Sequence, residues 1–260
     1  MGLNYIWAST ISFFYILGDL ARFSWRFFPA MIKPPFEYAE ILKQIYIIGY
    51  KTLFLVSITI FIISLVITIQ LTPRMESLGA AAIVPNLLAV SLIREVGPVL
   101  TALVCTGKIG SGIGAELGSM KVTEQIDAME VTRVNPYNYL VVTRVIAATI
   151  ALPVLACYSF AVGLAGSYLA YNIERSMSLT LFFQTAFTNM DVYDITPSVV
   201  KSTLFGFAIA MIASYYGFNT SRGANGVGKA ANAAVVSTFF VIFFIDLIAA
   251  QITHMLTAKM

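Results

Sequence analysis

Three long stretches of this chain carry no charged side chain, and they limit its folding options more than any motif does. Thr52–Leu71 runs 20 residues without a charge, Val145–Ile173 runs 29 and Ser202–Ser221 runs 20. A bilayer core needs about 20 apolar residues per helix. A soluble fold would have to cover a 58% apolar chain with only 11% charged residues, against roughly 25% in ordinary soluble domains. With a mean hydropathy of +0.83, the chain reads as an all-α, polytopic membrane protein.

The remaining composition excludes several function classes. A net charge of +3 with no basic cluster gives no footprint for nucleic acid. His254 is the only histidine, so histidine-based triads and zinc sites are out, and neither GxSxG nor HExxH occurs. Cys105 and Cys157 both fall in apolar stretches and read as two buried, unpaired thiols, with no metal-ligand spacing.

Residues 1–18 lack a charge, but they have neither the positive start nor the small-residue cleavage site of a signal peptide. Asp19, Arg22 and Arg26 follow at helical spacing, among Phe13, Phe14, Leu17, Phe23, Trp25, Phe27 and Phe28. This pattern predicts an amphipathic helix over roughly 5–28 lying in the membrane interface, with a sixth span as the alternative. Pro34-Pro35 ends it, and residues 1–44 form an interfacial helix and connector that includes a short polar helix, Glu37–Gln44.

Residues 45–260 then read as one transmembrane domain with spans at about 45–71, 78–107, 144–172, 199–220 and 234–256. Pro73 is expected to close the first span. The linker before the fourth span holds Glu174, Arg175, Asp191 and Asp194, and a Gly/Asn loop, Gly217–Asn232, precedes the fifth. Placing the N-terminus in the cytoplasm puts Arg22, Arg26, Lys33, Lys43, Lys51, Lys108, Lys121, Arg133, Arg144, Arg222 and Lys229 on that side, eleven of the sixteen basic residues. Arg74, Arg94, Arg175, Lys201 and Lys259 remain outside. The expected orientation is N-terminus in and C-terminus out.

Within the second span, Arg94-Glu95 is expensive unless it meets a partner or a cavity. Adjacent helical residues point about 100° apart, so the two cannot simply neutralise each other. Gly97 and Pro98 should kink the helix beside them. The pair reads either as a structural network or as the polar lining of a translocation cavity. Asp246 and His254 lie eight residues apart on one face of the last span and could join a polar interior.

Thr123-Glu124-Gln125-Ile126-Asp127-Ala128-Met129-Glu130 reads as a short amphipathic helix with an acidic edge. It suits either a solvated surface or a helix pressed into a groove of a cytoplasmic motor. Gly107, Gly110, Gly112, Gly114 and Gly118 have the spacing of close helix packing. Gly223–Ala230 imitates a phosphate loop but ends in Ala where Ser or Thr would meet magnesium, and no strand leads into it. This chain therefore is expected to hold no nucleotide.

Two blocks resemble a known family. Ile93-Arg94-Glu95-Val96-Gly97-Pro98-Val99-Leu100-Thr101-Ala102-Leu103 and the run from Gly107 to Glu130, continued by Asn135-Pro136 and Gly226-Val-Gly-Lys-Ala-Ala, are similar to the signature of MlaE (YrbE) permeases. The resemblance implies an amphipathic helix and five transmembrane helices in a bacterial inner membrane. It also implies a homodimer that moves phospholipid together with a periplasmic MCE-domain protein. ATP and Mg would sit on a separate cytoplasmic ABC ATPase. Arg94, Glu95, Pro98 and Asp246 would then belong to the lipid cavity. Glu116, Thr123, Glu124, Gln125, Asp127, Met129 and Glu130 would meet the ATPase. Lys108 departs from the family, which usually has Arg there, so a fork-shaped contact becomes a point charge. An ion-coupled secondary transporter and a non-transporting envelope scaffold are the rival readings. The first would require inverted repeats, and only the second span is visibly interrupted.

Overall fold

The computed structural model describes residues 2–34, 36–188, 190–221 and 223–257. Pro35, Arg222 and Lys259, and the side chains of Phe13, Phe14 and Glu174, lie outside the described residues. The described residues are helical almost throughout and contain no strand.

Among the described residues, five helices are long and apolar enough to cross a membrane. They are α2 (Tyr38–Ser77), α3 (Ala81–Val122), α5 (Tyr137–Ile173), α7 (Val192–Phe218) and α8 (Ala224–Thr257), each longer than the span expected, although α3 starts three residues later and α7 ends two residues earlier than expected. Helix α1 (Gly2–Ile32) is not among the five. Two short helices sit in the connections, α4 (Gln125–Val131) and α6 (Leu179–Phe187).

Helix α5 is the centre of the bundle: 67% of its most apolar window is buried, against 17% for α8. It packs on α2 on one side and α7 on the other, and α7 in turn packs on α8. The second half of α3 wedges between α7 and α8. The face α2 gives to the bundle is a strict four-residue stripe, Thr52, Val56, Ile60, Ser64, Thr68 and Thr72, all buried. Ser64, Thr68 and Thr72 return their hydroxyls to the carbonyls of Phe61, Ser64 and Thr68, so the second half of the stripe is internally satisfied. Where lipid is as apolar as leucine, small residues such as these are what let helices approach.

Several boundaries differ from the sequence expectation. Pro73 does not close α2; the helix runs through it to Ser77. It stops where Gly79 turns left-handed (φ +69°), with Gly79 N–H donating to Glu76 and Ala80 N–H to Met75, a glycine-terminated C-cap. The expected Glu37–Gln44 helix forms as Tyr38–Ile45, but it is the first part of α2, joined to the rest through one wide turn at Tyr46–Tyr50 instead of standing apart. The expected Gly217–Asn232 loop is mostly helix, because α7 runs to Phe218 and α8 already starts at Ala224. Poor intrinsic helix formers are overridden there by packing: a Cβ at Gly114 would sit 3.2 Å from the Ala231 backbone. The lookalike phosphate loop is thus largely helix. In the glycine run, Gly110, Gly114 and Gly118 face neighbours, whereas Gly107 and Gly112 face open space. Cys105 is buried as expected, but Cys157 is exposed on the outer side of α5.

Helix α1 leans on the bundle chiefly at the start of α5 and on α7. Phe23 meets Tyr137 and Tyr215 with ring centroids 5.0 and 5.6 Å apart, and Phe27 meets Phe207 at 5.5 Å. The Tyr137 hydroxyl donates to the Phe23 carbonyl at 2.6 Å. Trp25 and Ile32 are exposed, and Phe28 stacks on Phe207 at 6.3 Å on one side while about half of it stays exposed.

Candidate functional site

The densest polar cluster inside the apolar spans begins with a proline. Pro98 has no N–H, so the carbonyl of Arg94, four residues back, loses its helical donor. Helix α3 answers with a wide turn at Leu92–Val96, the kind of local unwinding that frequently marks functional sites. The Lys201 ammonium on α7 takes over as donor to the Arg94 carbonyl, at 3.1 Å. The same ammonium donates to Glu95 at 2.7 Å and lies 2.7 Å from Asp246 on α8, an ionic contact off the hydrogen-bond direction. Lys201 is 2% exposed, so the ammonium is buried, whereas Glu95 keeps about half of its side chain exposed.

Arg94 swings the other way and forms a two-nitrogen salt bridge with Asp194. Asp194 is held for this role by its place in the first turn of α7. Its other oxygen accepts the N–H of Asp191 at 3.0 Å, one half of a reciprocal capping box that opens the helix. As expected, Arg94 and Glu95 do not pair with each other; each finds a partner on α7. The cluster holds three carboxylates and two cations, and His254 lines the adjoining pocket with Arg94, Glu95, Pro197 and Lys201, a volume of ≈ 130 Å³. On the far side of Lys201 an apolar groove of ≈ 340 Å³ runs between α7 and α8, lined by Val200, Leu204, Ile245, Ile248 and Ile252. A polar pocket and an apolar groove thus share Pro197, Lys201 and Thr253.

Of the four residues expected in this region, Arg94, Glu95 and Asp246 are in the cluster, and Pro98 acts through the carbonyl it releases. The sequence reading does not single out Asp194 and Lys201, although it contains a signal for them. They stand seven residues apart, two helical turns on one face, and Lys201 is the lone charge at the head of an apolar run.

Gly97 is the tightest point of the wide turn. A Cβ there would lie 2.6 Å from the Leu92 carbonyl and 3.2 Å from Ser159 Oγ. Gly97→Ala is therefore expected to cost about 1–3 kcal/mol through local overpacking, read as a lower midpoint of thermal unfolding in mild detergent.

The residues expected to contact a motor lie at the other end of α3. Arg144, buried at the start of α5, donates to Glu116 at 2.8 Å and to the Leu140 carbonyl at 2.9 Å. Glu116 thereby ties α3 to α5 while keeping an exposed outer edge. The following helix starts two residues later than the pattern suggests. Thr123 returns its hydroxyl to Ser119 and Glu124 adopts φ +61°, so both belong to the turn before α4. Ile126 is buried and Met129 packs on the core, so the apolar stripe of α4 is spent on the protein's own interior. What α4 presents outward is Gln125, Asp127 and Glu130, beside Glu124 of the preceding turn and with Val131 85% exposed. Asp127 also pairs with Lys121 at 2.7 Å.

No group of His, Cys, Asp and Glu among the described residues could hold a metal ion. Comparison with known proteins is decisive for the family. The family described as Permease MlaE matches residues 41–252. The chain belongs to the MlaE permease family. It is 35% identical over 239 residues to a probable ABC transporter permease protein of Rickettsia typhi, covering 92% of each. It is 37% identical over 202 residues to one from Synechocystis, covering 78% and 77%. It is also 34% identical over 218 residues to the chloroplastic protein trigalactosyldiacylglycerol 1 of Arabidopsis thaliana, covering 84% of this chain and 62% of that one. Membership makes this permease a multi-pass transporter subunit that works with an ATPase, rather than an enzyme.

Proposed function

We propose that this permease carries phospholipid for an ABC transporter of a bacterial inner membrane, handing it to or from a periplasmic MCE-domain protein. ATP and Mg bind the partner ATPase. The observation that carries this reading is the shared wall at Lys201, where a charged pocket opens beside an apolar groove. That is the shape of an amphiphile: Arg94 and Glu95 suit the charges of a headgroup, and the α7–α8 groove suits an acyl chain. The name of the Arabidopsis relative refers to a diacylglycerol glycolipid, which also favours a lipid cargo.

Two copies are part of the proposal. Five helices enclose little by themselves, and α8 leaves Phe240, Phe243, Phe244 and Leu247 exposed along one apolar flank. A closed homodimer would cover such a flank and enlarge the cavity. The N-terminus is placed in the cytoplasm, with α1 in the interface and α4 toward the motor. The C-terminus is then periplasmic.

Native mass spectrometry of the complex, extracted in mild detergent from its own membrane, tests this. Two copies of the chain with a nucleotide-binding subunit and retained phospholipid are expected. Recovery without any ATPase, under conditions that preserve other ABC assemblies, would favour a scaffold.

A further inference from the structure

A second polar cavity lies at the opposite end of the bundle from the charge network, in the crease where α1 meets the start of α5. It has a volume of ≈ 230 Å³, and Arg26, Lys33, Asn135, Tyr137 and Asn138 line it. None of its lining side chains is a carboxylate. Arg26 lies over the Tyr137 ring, 5.6 Å from its centroid, which fixes the guanidinium without neutralising it. Neither Arg26 nor Lys33 makes an ion pair among the described residues. Asp19, the nearest acid along α1, lines the neighbouring crease with Arg22; Arg26 stands between the two creases and borders both without an ion pair to Asp19.

The carboxamides reinforce this bias. Asn135 Oδ1 accepts the backbone N–H of Tyr137 at 3.1 Å and of Asn138 at 3.4 Å, which occupies its acceptor and leaves its NH2 to donate. The cavity therefore offers two cations and a neutral donor, and its requirement is a compact anion with several acceptor oxygens. Its position supplies the rest of the ligand. Tyr137 opens a membrane span, and beside the cavity Trp25, Phe28 and Ile32 form an exposed apolar stripe along α1.

We propose that this crease binds the phosphate of an anionic phospholipid headgroup, held by Arg26, Lys33, Asn135 and Asn138, with an acyl chain along Trp25, Phe28 and Ile32. The ligand is a resident of the membrane surface, distinct from cargo in the Lys201 pocket, and it pins α1 to the bundle.

Trp25 is a built-in reporter, because Trp7 is the only other tryptophan. The full chain carrying Trp7→Phe would be reconstituted in phosphatidylcholine vesicles. Quenching of Trp25 by brominated phosphatidylglycerol would then be compared with quenching by brominated phosphatidylcholine. The anionic lipid is expected to associate more tightly by about fivefold per basic side chain in the site. Arg26→Gln with Lys33→Gln should bring the preference close to one. Lys51→Gln with Lys229→Gln removes two charges outside the crease and should leave most of the preference intact. Asn138→Ala removes a neutral donor to the phosphate and should weaken association of the anionic lipid about threefold while leaving the preference close to the parent's. If Arg26→Gln with Lys33→Gln folds poorly, Arg26→Lys with Lys33→Arg should restore both folding and preference. Equal quenching by the two lipids, or a preference lost equally in the Lys51/Lys229 variant, overturns the site. Displacement of the lipid by inorganic phosphate in detergent, but not by chloride at equal ionic strength, would assign the crease to a soluble phosphate and overturn the lipid assignment.

Discussion

Replacing Lys201 with Met is expected to destabilise the permease by about 3–5 kcal/mol, the usual consequence of leaving buried charges without a partner. The ammonium serves three partners at once: it donates to the Arg94 carbonyl and to Glu95, and it pairs ionically with Asp246. Glu95 is about half exposed and gains least from it, so the loss falls mainly on Asp246 and on the carbonyl that Pro98 leaves without a helical donor. Lys201→Arg is no conservative rescue, since a rigid fork replaces a compact point charge at a 2% exposed position. The informative rescue is Lys201→Met combined with Glu95→Gln and Asp246→Asn. It removes the uncompensated charge and should recover most of the loss while still abolishing transport if the charges serve cargo. The measurement is the free energy of unfolding in mixed micelles, beside lipid transfer in proteoliposomes. A Lys201→Met protein as stable as the parent would show that the hub holds nothing together.

The same network shows which features could be read from the sequence. The five spans were legible because the bilayer demands long apolar runs, and Arg94-Glu95 stood out because it interrupts one. Their partners were harder to find because Lys201 and Asp194 sit at the head of α7, where a charge looks like ordinary loop polarity. Only the i, i+7 spacing, taken with the carbonyl released by Pro98, would have pointed to them. Boundaries failed where tertiary contact overruled local chemistry. Pro73 reads as a stop but is carried inside a helix that ends at Gly79, and the Gly/Asn stretch reads as a loop but packs as the first turns of α8 against Gly114. For α4, periodicity identified the stripe of Ile126 and Met129 but not its destination, since an apolar face fits a partner's groove and the chain's own core equally well.

That destination sharpens the second prediction, which concerns transport. Because Ile126 and Met129 anchor α4 inward, any contact with the ATPase has to be made by the outward edge of Glu124, Asp127 and Glu130, beside the exposed Val131. Glu124→Lys with Asp127→Lys reverses two charges on that edge and leaves the anchors untouched. Within the chain the change breaks the exposed Asp127–Lys121 salt bridge, worth at most about 1 kcal/mol. Glu124 already occupies the left-handed region as a non-glycine residue, so Lys adds no new backbone strain there. The permease should therefore fold and insert normally. Like charges brought together across an interface cost several kcal/mol, so capture of the ATPase should fall by tenfold or more, and ATP-driven lipid transfer with it. The neutral variant, Glu124→Gln with Asp127→Asn, should lie between, and its deficit should shrink as salt screens the parent's attraction. Parent-level ATPase capture and transfer in the reversed variant would remove α4 from the coupling path. The exposed edge of Glu116, tied to α5 through Arg144, would then be the next surface to test.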